Sequence, residues 1–96
     1  MRREAALAVL REHQSELGEF GVLAISIFGS VVRNEARPGS DVDVLVELEE
    51  GVGLFGFARL QRYLQEILGA PVDLVTPDAL KRQLRDRILA EAIRAA

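Results

Sequence analysis

The run Asp41-Val42-Asp43-Val44-Leu45-Val46-Glu47-Leu48-Glu49 constrains the fold more than any other stretch of this chain. Val42, Val44, Val46 and Leu48 alternate with Asp41, Asp43, Leu45, Glu47 and Glu49, which is the two-residue period of a half-buried strand. Its even face enters a core and its odd face carries the acids. Residues i and i+2 of a strand project to the same side, so Asp41 and Asp43 stand next to each other. Two like charges placed this way repel, and one is pushed toward protonation unless a cation neutralises them. Glu47 and Glu49 share the face but lie farther along, and read as solvated.

The elements around this strand follow from spacing. Ala6, Leu7, Leu10 and Leu17 recur at helical intervals among charged residues, predicting one amphipathic helix from Arg3 to about Leu17 that ends near Gly18. Val22 to Phe28 is an apolar run rich in branched residues and predicts a buried strand. Gly29 and Ser30 follow it, and Val31 to Ala36 has room for one or two helical turns before Pro38 and Gly39 break them. Gly51, Gly53 and Gly56 read as a flexible connection. Phe57, Leu60, Leu64, Ile67 and Leu68 then mark a second amphipathic helix, stopped by Gly69 and Pro71. Val72 to Val75 predicts a third strand, and Thr76-Pro77 a helix start. Leu80, Leu84, Ile88, Leu89 and Ala92 continue at helical spacing, in one helix or two. The result is an α/β (α+β) chain with a small sheet flanked by helices, in one domain over residues 1–96.

Composition narrows what such a domain does. The absence of Cys removes disulfides, thiolate catalysis and Cys-ligated zinc. His13 is the single histidine and cannot build a His-rich metal site. A net charge of -3 argues against a protein whose main task is gripping nucleic acid, because that grip comes from clustered Lys and Arg. No run approaches the roughly 18 apolar residues of a membrane span, and the N-terminus lacks a signal-peptide core. The expected location is cytoplasmic. Arg82, Arg85 and Arg87 read as a solvated helix face, and Tyr63, beside Leu60 and Leu64, as a packing residue.

The chemistry gathers around the paired aspartates. Magnesium prefers oxygen ligands and usually takes one or two carboxylates together with substrate phosphates, so Asp41 and Asp43 suit a Mg-nucleotide. Two such ions would serve the attacking and leaving oxygens of an in-line displacement. Asp73, in Val72-Asp73-Leu74, supplies a third carboxylate if its strand neighbours theirs. Gly29 permits a close backbone approach, Ser30 opens a short turn whose N–H groups face an anion, and Arg33 lies one turn beyond, within reach of a triphosphate.

Phe28-Gly29-Ser30, Arg33, Ser40-Asp41-Val42-Asp43-Val44 and Val72-Asp73-Leu74 together resemble the DNA polymerase β-like nucleotidyltransferase superfamily. The length points to its minimal nucleotidyltransferase branch, many members of which are antitoxins encoded beside HEPN-domain toxins. The resemblance runs from about Val22 to Ala79. It implies a small mixed β-sheet and transfer of a nucleoside monophosphate from a triphosphate, often ATP, with Mg2+ and release of pyrophosphate. By the same resemblance Asp41, Asp43 and Asp73 are the metal and catalytic carboxylates, and Gly29, Ser30, Arg33 and Ser40 contact the nucleotide. The branch often carries Ala and Gly beside the motif arginine, where this chain has Val32 and Asn34; Asn tolerates left-handed backbone geometry. The implied acceptor is a hydroxyl on another protein, a HEPN toxin tyrosine, within a hetero-oligomer. Two other readings stay open: a module that neutralises a toxin by contact alone, and the nucleotide-binding subunit of a small-molecule, antibiotic-type nucleotidyltransferase.

Overall fold

The computed structural model describes residues 1–37 and 39–96. Four strands form one mixed sheet: β1 (Val22–Phe28), β2 (Val42–Leu48), β3 (Val72–Val75) and β4 (Ile93–Arg94). Their order is β3-β2-β1-β4. β1 runs antiparallel to β2 and to β4, whereas β2 and β3 are parallel. The parallel pair requires a crossover, and α3 (Leu54–Leu68) supplies it. Its Leu60, Leu64 and Leu68 enter the core, and Gly69 ends the helix at φ 66°, the left-handed geometry of a C-terminal stop.

One face of the sheet is sealed. Ile25, Ile27, Val42, Val44, Val46, Val72 and Leu74 pack against Leu60, Leu64 and Leu68 of α3 and against Ala6, Leu7, Leu10 and Leu17 from the N-terminal helices. The even-numbered positions of β2 face this core, as their alternation predicts. The opposite face holds a smaller cluster, in which Phe28 and Leu45 meet Ile88 of α4 (Arg82–Glu91). Leu45 is thus buried among the acids of the odd face, because α4 folds back over that part of the sheet.

Several boundaries differ from the sequence reading. The first helix is two, α1 (Arg3–Glu12) and α2 (Gln14–Glu19), separated at His13. His13 sits at φ -104°, ψ 20°, and its ring Nδ1 lies 2.8 Å from the Val9 carbonyl oxygen. The His13 main-chain N–H is shared between the Val9 and Leu10 carbonyls, at 3.2 and 3.3 Å, as at a helix end. The turn after β1 is a short 3-10 segment, Gly29–Val31, in place of a longer helix over 31–36. Asn34 follows at φ 56° and accepts the Arg3 N–H on its Oδ1 at 3.0 Å. Pro38, expected to break that segment, lies outside the described residues. Gly56 belongs to α3 and not to the connection before it. After β3, Pro77–Ala79 forms a separate 3-10 turn before α4. Ala92, read as helical, caps α4, and β4 pairs Arg94 with Ser26 and Ile93 with Ile27. Tyr63 packs its ring 5.0 Å from that of Phe20, as a packing residue should.

Candidate active site

The register of the sheet brings the acids together. Asp43 on β2 pairs directly with Asp73 on β3, and on its other side with Phe28, the last residue of β1. Adjacent strands lie about 4.8 Å apart, so the two carboxylates are immediate neighbours on the face opposite the main core. Asp41 stands just ahead of β2, two positions before Asp43. Asp41 and Asp73 are exposed, and Asp43 between them is half-buried. This grading shows in its acidity. Burial first, then the charges of Asp73, Asp41 and Glu91, hold the Asp43 carboxyl above its ordinary range, while Arg33 pulls the other way.

Gly29 is fixed by contact as well as by conformation. It turns the chain out of β1 at φ 73°, a region costly for side chains other than glycine. A β-carbon there would collide with the Asp43 carboxylate. The backbone after β1 and the central aspartate are therefore packed against each other with no room for a side chain. Ser30 lies in the 3-10 segment, and its carbonyl accepts the Glu35 N–H at 2.8 Å. Arg33 is half-exposed and reaches Glu35 Oε2 at 3.2 Å and Glu91 Oε1 at 2.8 Å. Ser40 accepts the Arg37 N–H on its Oγ at 3.1 Å, closing the loop that leads into Asp41. In this geometry its hydroxyl shapes the loop.

Glu91 is the site residue that sequence reasoning missed. At the end of α4 it accepts the Gly29 N–H at 2.6 Å and the Arg33 guanidinium at 2.8 Å on the same Oε1 atom. Nothing in the helical spacing of residues 80–92 singles it out; only the fold-back of α4 over the acidic face reveals it. Between α4 and β3 lies a cleft of about 350 Å3 whose walls include Phe28, Asp73, Val75, Leu84, Arg87 and Glu91. Arg87, read as part of a solvated face, borders this cleft. A larger hollow of about 560 Å3 beside Val52, Leu54 and Phe55 follows the far end of β2 and is remote from the carboxylates.

The donor set fits a hard cation in one particular way. Every candidate ligand is a carboxylate oxygen, the preference of magnesium. Among the described residues no three Asp, Glu, His or Cys side chains gather tightly enough to hold an ion unaided. The arrangement suits a cation that arrives with phosphate oxygens as its remaining ligands.

A mixed four-stranded sheet with one aspartate on a central strand and another just ahead of it, a third in register on the neighbouring strand, and a glycine turn at the end of the preceding strand defines a nucleotidyltransferase of the polymerase β-like fold. Residues 8–95 match the family described as nucleotidyltransferase domain, and the chain belongs to that family. Protein adenylyltransferase MntA of Thermococcus cleftensis is 45% identical over 87 residues, 90% of this chain and 88% of that protein. A solved structure assigned as a minimal nucleotidyltransferase superposes with a TM-score of 0.83 at 42% identity, over 97% of this chain and 95% of that one. The complex of tri-AMPylated Shewanella oneidensis HEPN toxin with MNT antitoxin shares the fold, with a TM-score of 0.66 at 17% identity over 94% of this chain and 71% of that one.

Proposed function

We propose that this protein transfers AMP from ATP, or another nucleoside monophosphate from its triphosphate, to a hydroxyl on a partner protein, and acts in this way as an antitoxin. The proposed acceptor is the tyrosine of a HEPN toxin. The observation that carries the reading is the in-register pair Asp43 and Asp73 beside Gly29, with Arg33 at the rim. Similarity to a protein adenylyltransferase over most of both chains supports adenylyl transfer. The shared fold of a HEPN–MNT complex supports the choice of partner.

Each residue has a role that its position allows. Asp41 and Asp43, with Asp73, would hold magnesium, which when bound neutralises charge on the phosphates and on the attacking and leaving oxygens. Asp73 borders the cleft and takes the proton of the acceptor hydroxyl. That oxygen attacks the α-phosphorus, the bond to the β-bridging oxygen breaks, and pyrophosphate leaves. Gly29 lets the phosphates approach the backbone of this turn, whose N–H groups suit an anion. Arg33 offers a fork that matches phosphate oxygens. The Ser40–Arg37 contact sets the path of the chain into Asp41.

The experiment is mass spectrometry of a HEPN partner after incubation with this protein and Mg-ATP. The expected result is added AMP on a tyrosine and loss of the partner's RNase activity. No added nucleotide across the natural triphosphates would overturn the proposal. Contact alone would suffice if Asp41→Asn plus Asp43→Asn left neutralisation intact.

A further inference from the structure

The Glu91 carboxylate occupies a position that the proposed reaction needs for a phosphate. Its Oε1 takes both the Gly29 N–H, at 2.6 Å, and an Arg33 N–H, at 2.8 Å. Those are the backbone amide at the glycine turn and the guanidinium assigned above to the triphosphate. One N–H serves one strong acceptor at a time, and a polyphosphate brought to Gly29 would meet the negative charge of Glu91 already there.

The position of Glu91 in its helix is informative. It is the last residue of α4, where the helix dipole disfavours an acid. The Gly29 amide and Arg33 are the groups that compensate it. The carboxylate also stands close enough to add to the negative field on Asp43, so it opposes a polyanion at this site and does not assist one. α4 is lightly anchored. Ile88 is its one buried residue, and Leu84 and Leu89 are 47% and 48% exposed. Glu91 lies outside the main core, so swinging its side chain away leaves that core intact, while Ile93–Ala96 beyond it stay tied to β1.

We infer that Glu91 is a resident anion at the phosphate-binding amide, and that nucleotide binds by displacing it from Gly29 and Arg33. This inference rests on the proposed nucleotidyl transfer and adds a residue that sets nucleotide affinity. Apparent affinity falls by the fraction of molecules in which the site is open, so an opening of one molecule in ten corresponds to about a tenfold weaker dissociation constant.

The test is calorimetric titration of the wild type, Glu91→Gln and Glu91→Ala with Mg-ATP and, separately, with Mg-triphosphate, each variant's melting curve confirming that it is folded. The expected result is binding about tenfold tighter in both variants, with the same gain for triphosphate, which locates the effect at the phosphates. Should Glu91→Ala fail to fold, the near-isosteric Glu91→Gln decides the question. Equal or weaker binding by a folded variant would overturn the inference while leaving the nucleotidyltransferase proposal standing, since it would mean that Glu91 serves to hold Arg33 in place. Failure of all three proteins to bind either ligand would overturn both.

Discussion

The two faces of the sheet solve different problems with nearly the same strands. On one, Ile25, Ile27, Val44 and Val46 are fully buried under three helices, and among the described residues the buried set contains no polar or charged one. On the other, Phe28 and Leu45 are covered by Ile88 with partly buried Val75, Leu80 and Ala92 around it, and Asp43 and Asp73 share the surface with them. The first face supplies the burial that holds the chain together. The second accepts unneutralised like charges because water and one thin helix cover it, and because the first face compensates for their repulsion. Stability and chemistry are thus separated by the alternation of side chains along β2, where each valine is followed by a residue pointing the other way.

Substitutions that act on one face alone test this separation. The largest expected effect is that of Asp43→Asn, which removes a proposed metal ligand. It should cost roughly 3–4 kcal/mol of transition-state stabilisation, about 10² to 10³ in transfer rate, with Tm equal to or above that of the wild type. Loss of Tm would make Asp43 structural and erase the contrast. On the sealed face, Leu64→Ala should destabilise by about 2–5 kcal/mol in denaturant unfolding, while activity per folded molecule stays near that of the wild type. The corresponding truncation on the other face, Ile88→Ala, should fall at the low end of that range, about 2 kcal/mol. Equal losses at the two positions would show that α4 is as firmly built in as α3.

Smaller effects sharpen the picture. Gly29→Ala should lose about 1–2 kcal/mol of stability from left-handed strain alone, and transfer activity in addition, because the new methyl displaces the Asp43 carboxylate. A pH series gives the smallest signal. Asp43 binds its proton more readily in the folded than in the unfolded chain, so with a chelator present stability falls as pH rises from the ordinary Asp value through the raised one, and is level above it. In Asp43→Asn that part of the fall should be absent from urea midpoints measured across acidic pH.

Alternation made the acidic strand legible, and apolar runs bounded by Gly and Pro made β1, β3 and the end of α3 legible, because these signals act over a few residues. What escaped depends on contacts distant in sequence. The break at His13 is a change of backbone angles at one residue, in a stretch whose apolar spacing is continuous. β4 is two residues long and exists because β1 offers it an edge. Glu91 lies 62 residues from Gly29, and no local pattern marks it. In the site, the motif singled out Asp41, Asp43 and Asp73 as candidates, but the pairing of Asp43 with Asp73 required the register of a parallel strand.

The most direct test follows pyrophosphate release from Mg-ATP in the presence of a HEPN partner, for the wild type and for Asp43→Asn at matched folded concentration. The account predicts magnesium-dependent release and a nucleotide-modified partner for the wild type, and both slower by about 10² to 10³ for a variant that melts at or above the wild-type temperature. Transfer by folded Asp43→Asn at the wild-type rate would contradict it.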